Sequence, residues 1–156
     1  MMRHPGRVIL AAGSAVPKVG RCPAVAVLRR ILYLDALVTA AIAVVLIPFP
    51  GFVFEDLLAQ PPASDYTLVR LLGASLLPLA LLMVLIGHRV QELWWWCWAF
   101  VIFEAGWGMI LTLEAAFGLP AGSRAAWWWV SAAVAWGFAL AYLWGIARAG
   151  NEAQPI

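Results

Sequence analysis

The sequence predicts an all-α polytopic membrane protein, an up-and-down bundle of four transmembrane helices. Hydrophobic residues make up 65% of its 156 residues and charged residues only 12%, with a mean hydropathy of +0.90. A soluble domain carries about 25% charged residues, and a water-soluble core cannot absorb this much apolar surface. Four apolar runs, each reaching the about 20 residues that cross a bilayer, use more than half of the chain and leave no length for a second domain. Helices are the expected form because each satisfies its own backbone hydrogen bonds in lipid.

Residues 1–27 read as a basic, disordered cytoplasmic leader, 28–147 as the transmembrane domain and 148–156 as a short cytoplasmic tail. The apolar run from Val8 to Val16 is short for a signal peptide, contains Gly13 and Ser14, and is followed by Pro17 and Lys18. Arg21 stands before Cys22 where a lipoprotein signal needs a small residue. A disordered leader and an upstream extension from a misplaced start codon both fit this segment.

The first span, 28–50, opens on Arg29 and Arg30 and closes at Pro48 and Pro50, where a helix can no longer continue. The connection that follows holds Glu55, Asp56 and Asp65 but no Lys or Arg, which suits an outer face. Its GFVFEDLL stretch reads either as a short interfacial helix or as a loop with aromatic anchors. The second span, 66–87, carries Pro78 near its centre, an expected kink, and is followed by His88 and Arg89. The third, 94–117, starts in WWWCW and ends before Gly118, Pro120 and Gly122; the fourth, 126–147, opens on Trp127 to Trp129 and ends at Arg148. The two tryptophan runs fall at opposite interfaces, where amphipathic indoles settle.

Six of the ten Lys and Arg residues precede residue 31: Arg3, Arg7, Lys18, Arg21, Arg29 and Arg30. By the positive-inside rule that end is cytoplasmic, and an even number of spans returns the C-terminus to the same side of the cell inner (plasma) membrane. Arg124, in the second outer loop, is the exception. A basic flank beside a membrane helix is the common case, so no nucleic-acid partner is inferred. The bilayer itself, a second copy of the chain or another membrane protein are the expected partners. Cys22 and Cys97 form no CxxC, and no disulfide framework or thiol-redox motif is legible.

Ionisable residues inside a span are expensive and must face protein, water or a partner, so they carry the functional information. There are four: Asp35, Arg70, Glu104 and Glu114. At about 1.5 Å of rise per residue, Glu104 falls near the midplane, Asp35 roughly 6 Å toward the cytoplasm, and Arg70 and Glu114 roughly 10 to 14 Å toward the outside. The equal depth of Arg70 and Glu114 predicts either an ion pair between spans two and three or two side chains that snorkel separately.

Glu104 is too short to reach either surface from the midplane and must be protonated, hydrogen-bonded or beside water. Gly108 and Thr112 share its face, and Ala105, Gly106 and Gly108 let another helix approach. Asp35, Thr39 and Ala43 make a stripe on span one, and Ser131, Ala135, Phe138 and Tyr142 one on span four. A buried polar network of Asp35, Thr39, Glu104, Trp136 and Tyr142 is the candidate site. A purely structural, hydrogen-bonded Glu104 is the alternative to a functional one.

His88 and Glu92 have i, i+4 spacing, but two ligands without a third make a poor metal site, and a charged cytoplasmic turn explains them better. No nucleotide or catalytic fingerprint appears, GWG at 106–108 being a packing feature, so no cofactor is expected.

RRILYLDAL at the start of span one, RLLGASLLPLALL in span two and the hairpin layout over about residues 28–147 resemble the DoxX-like small four-helix bacterial membrane proteins. Some of that group are associated with quinone-linked sulfur oxidation, but no thiol pair or haem-ligand pattern here carries that role over. The first functional expectation is a non-enzymatic bundle that binds a partner helix, a lipid or a small apolar ligand. The alternatives are an intramembrane acid/base enzyme of the isomerase type, with Glu104 and Asp35 as its carboxyl pair, and a component of proton-coupled transport.

Overall fold

The structure, a computed structural model, describes residues 23–120 and 122–153. The expected disorder of the leader up to residue 22, Cys22 with it, lies outside the described residues, as do residues 154–156 of the tail. All regular structure among the described residues is helical. The long elements are α1 (Pro23–Leu46), α2 (Thr67–His88), α3 (Val90–Gly118) and α4 (Ala125–Ala153).

Three stretches are long and apolar enough to cross a membrane: Thr67–His88, Val90–Gly118 and Ala125–Gly150. The 24 residues of α1 include Arg29, Arg30 and Asp35, and those charges set it apart from the other three. The helix runs past the paired arginines and gives way at Ile47 and Pro48. α2 continues unbroken through Pro78.

α3 is not uniform. A first α-helical turn, Val90–Leu93, is followed by a 3₁₀ turn over Trp94–Trp96, an α-helix over Cys97–Leu113 and a π-helical turn over Glu114–Gly118. Three adjacent indoles sit where the winding tightens, and the rings of Trp95 and Trp96 stack at 4.8 Å. α4 extends past the expected end at residue 147, with Ala149 buried, so the first part of the tail is a helical continuation. At about 1.5 Å per residue, its 29 residues exceed the about 30 Å of hydrocarbon and project beyond it.

α1 packs along α2, α3 packs along α4, and the two hairpins meet where α1 lies on α4. Where the α1–α2 connection is remote, all four helices converge on one apolar cluster that includes Leu28, Leu32, Met83, Phe100, Tyr142 and Ile146. A smaller cluster at the other end joins Ala43, Leu46 and Leu76 to Phe54 and Phe103. The outward faces are lined with large apolar side chains such as Leu37, Leu68, Leu85, Ile102 and Leu140, as expected where the solvent is lipid.

The GFVFEDLL stretch is helical, as a single π turn over Phe52–Leu57. The Leu58 N–H donates to the Val53 carbonyl at 3.0 Å, and the Gln60 N–H to that of Phe54 at 2.8 Å. Ala59, with φ 51°, makes the left-handed residue that ends the turn. This connection is tied to the α3–α4 loop: Gln60 Nε2 donates to Ser123 Oγ at 3.0 Å, and the Arg124 N–H to the Leu58 carbonyl at 3.2 Å.

Candidate functional site

The centre of the bundle holds three buried polar residues among the described ones: Asp35, 2% exposed, Thr39, 6%, and Glu104, 6%. Asp35 and Thr39 sit one turn apart on the face of α1 turned toward the other hairpin, and Thr39 Oγ1 donates to Asp35 Oδ1 at 3.3 Å. The other carboxylate oxygen, Oδ2, accepts from the hydroxyl of Tyr142 on α4 at 2.7 Å. Tyr142 is itself fully buried, its ring against Phe100 of α3 at 5.9 Å between centroids. Its packing holds the hydroxyl on the carboxyl group, and α1 is thereby bonded to α4.

Glu104 lies at the midpoint of α3, equidistant from Val90 and Gly118. One turn before it on the same face, Phe100 packs against Tyr142, so Glu104 stands on the side of α3 that meets α4. It makes no hydrogen bond among the described residues. The one side-chain polar atom there that is both sealed from solvent and unpartnered is Trp128 Nε1, so the carboxyl oxygens of Glu104 retain a little accessible surface.

Of the five residues in the expected network, the structure therefore bonds Asp35, Thr39 and Tyr142 together and places Glu104 beside them. Trp136 belongs elsewhere. Its indole N–H donates to Thr112 Oγ1 at 3.3 Å, and the Thr112 hydroxyl donates to the Gly108 carbonyl at 2.6 Å. The indole lies over Gly108 so closely that a Cβ there would come within 3.1 Å of its ring. A 40% exposed Trp136 thus locks α3 to α4 toward the bilayer, away from the Asp35 cluster.

The ion pair between Arg70 and Glu114 is not formed. Both residues are exposed, and the carboxylate that feels the Arg70 charge is Asp65, just before α2. The Glu114 carboxyl lies against Gly118 of its own helix, and depth alone does not pair side chains. The snorkelling alternative fits their exposure.

No group of three metal-ligating side chains occurs among the described residues. His88 instead pairs with Tyr33 of α1: hydroxyl and Nδ1 are 3.3 Å apart and the rings meet edge-on. Beside them Arg29 Nε donates to the Gly87 carbonyl at 3.0 Å, satisfying an orphan acceptor at the end of α2. The side chain of Tyr33 fits only because Gly87 has none, since a Cβ would lie 2.7 Å from Cε1. Sequence spacing could not reveal this corner, which joins residues 55 and 58 positions apart.

Tyr33 also marks one end of a groove between α1 and α2, lined by Ala36, Ala40, Leu77, Ala80 and Val84 and open toward the bilayer. The three alanines create it, since each leaves a hollow where its neighbours carry large side chains. No family model matches this chain, and comparison with curated proteins and with solved structures finds no match in either.

Proposed function

We propose that the protein is a non-enzymatic, four-span bundle of the bacterial inner (plasma) membrane, of DoxX-like type with both termini cytoplasmic, which binds a lipid in the groove between α1 and α2. The groove carries the reading: a shallow apolar strip of about 430 Å³ that opens sideways to the bilayer. An acyl chain is the apolar ligand present there at highest concentration. Tyr33, at one end of the groove, pairs with His88, Arg29 bonds the Gly87 carbonyl beside it, and the sequence neighbours Arg30 and Arg89 are exposed. Basic groups next to an apolar channel fit an anionic headgroup above its chain. Asp35 supports α1 as the fourth span, because its two hydrogen bonds remove the main obstacle to placing a carboxyl group in hydrocarbon.

Native mass spectrometry of the full chain, purified in mild detergent with its endogenous lipids, tests this reading. An anionic phospholipid should stay bound to the wild type and be lost from Ala40→Leu, which fills the groove from its exposed side. Equal retention of lipid by Ala40→Leu, or a wild-type protein free of lipid, would remove the groove as a binding site.

A further inference from the structure

We propose that Glu104 and Asp35 form a one-proton site, with the exchangeable proton on the Glu104 carboxyl and the negative charge on Asp35. The inference goes beyond lipid binding and uses a different part of the bundle. Asp35 is committed as an acceptor: one oxygen takes the Tyr142 hydroxyl proton at 2.7 Å and the other that of Thr39 at 3.3 Å. Both bonds stabilise a carboxylate. Glu104, equally buried and turned to the same cluster, has no donor among the described residues.

Two carboxyl groups buried in one apolar interior, only one of them supplied with hydrogen-bond donors, do not both ionise. The groups that face Glu104 supply no compensating cation. α1 presents Asp35 and Thr39, α4 presents Tyr142, and α3 itself carries Cys97 in the same cluster. α2 contributes apolar Met83 and Ile86, its Arg70 and His88 being exposed at its two ends. A proton on Glu104 resolves the conflict: it leaves one charge instead of two, and that charge is the one already hydrogen-bonded.

A hydrophobic carbodiimide reports this state directly, because it reacts with a carboxylic acid in its protonated form. The acid proton moves to a carbodiimide nitrogen and the carboxyl oxygen adds to the central carbon. The acyl group of the resulting O-acylisourea then migrates from oxygen to nitrogen, so the whole reagent is retained as an N-acylurea. The full chain in lipid nanodiscs is treated at neutral pH with dicyclohexylcarbodiimide or, in parallel, with a water-soluble carbodiimide. Intact-mass and peptide-mapping spectrometry count and locate the adducts.

The expected result is one adduct per chain, on Glu104, from the hydrophobic reagent only. It should fall to background in Glu104→Gln and persist on Glu104 in Asp35→Asn. An unlabelled wild type, an adduct mapped to Asp35, or equal labelling by the water-soluble reagent would overturn the proposal. Peptide mapping of the wild type decides the matter even where a variant fails to fold.

Discussion

The Tyr142 hydroxyl donates to Asp35 Oδ2 at 2.7 Å, joining residues 107 positions apart in sequence. Tyr142 is fully buried and Asp35 2% exposed, so neither group has water as an alternative partner. The bond ties the first helix to the last and is the main polar link between the two hairpins. A buried acceptor that loses its donor costs about 1 to 3 kcal/mol. Tyr142→Phe should therefore lower stability by about that amount, while Thr39→Val, which removes a longer bond, should cost less. In an Asp35→Asn background the Tyr142→Phe effect should shrink, since both act through one contact. Thermal unfolding in detergent of the four corners of this cycle measures the coupling, and strict additivity would show that the bond does not join the helices energetically.

Gly108 and Trp136 make the second lock. A Cβ at residue 108 would sit 3.1 Å from both Cδ1 and Nε1 of the indole, so Gly108→Ala must push the ring aside and break its bond to Thr112. Overpacking of this kind costs about 1 to 3 kcal/mol. Gly137 has nothing within 4 Å of a built Cβ, and Gly137→Ala should stay within about 1 kcal/mol of wild type. Chemical denaturation of the two variants side by side checks the contrast, and equal losses would count against the close approach.

Much of this was legible in the sequence, and the exceptions share a cause. The four apolar runs correspond to the four long helices, three of which are long and apolar enough to cross a membrane. Asp35 and Tyr142 could be set at one depth by counting rise along each helix. Helix rotation is what counting cannot supply. Trp136, expected in the Asp35 network, bonds Thr112 instead, and of the two alternatives for Arg70 and Glu114 the ion pair does not form. The indole of Trp128, expected in an interfacial belt, turns partly inward, while Trp127 and Trp129 stay exposed. The Tyr33, His88, Arg29 and Gly87 corner gave no signal, since a tyrosine, a histidine and a glycine near helix ends have no pattern until two helices cross.

Asp65 makes the N-terminal end of α2 sensitive to acid. Its Oδ1 accepts from the Thr67 hydroxyl at 2.7 Å and from the Thr67 N–H at 2.8 Å. These bonds, the hydroxyl's first, hold the carboxyl below its ordinary range, with Arg70 adding to the effect. A folded-state value below the unfolded one contributes stability that is fully present above the unfolded value of about 3.9, and that is lost as the pH falls toward the folded value. The melting temperature of wild type should drop relative to that of Asp65→Asn across this acid window. Parallel curves would show that the Thr67 bonds are not retained in the folded protein.

Everything said of the lipid groove and of the one-proton site depends on α1 crossing the membrane alongside the three more apolar helices. Cysteine accessibility in intact cells tests this most directly. In a Cys22→Ser, Cys97→Ala background, Gly20→Cys, Pro62→Cys and Gly150→Cys are each treated with a membrane-impermeant maleimide before and after permeabilisation. A four-span bundle with both termini cytoplasmic predicts labelling of Pro62→Cys in intact cells, and of Gly20→Cys and Gly150→Cys only once the membrane is opened. Labelling of both Gly20→Cys and Pro62→Cys in intact cells would leave three spans, put α1 outside the bilayer and contradict the account.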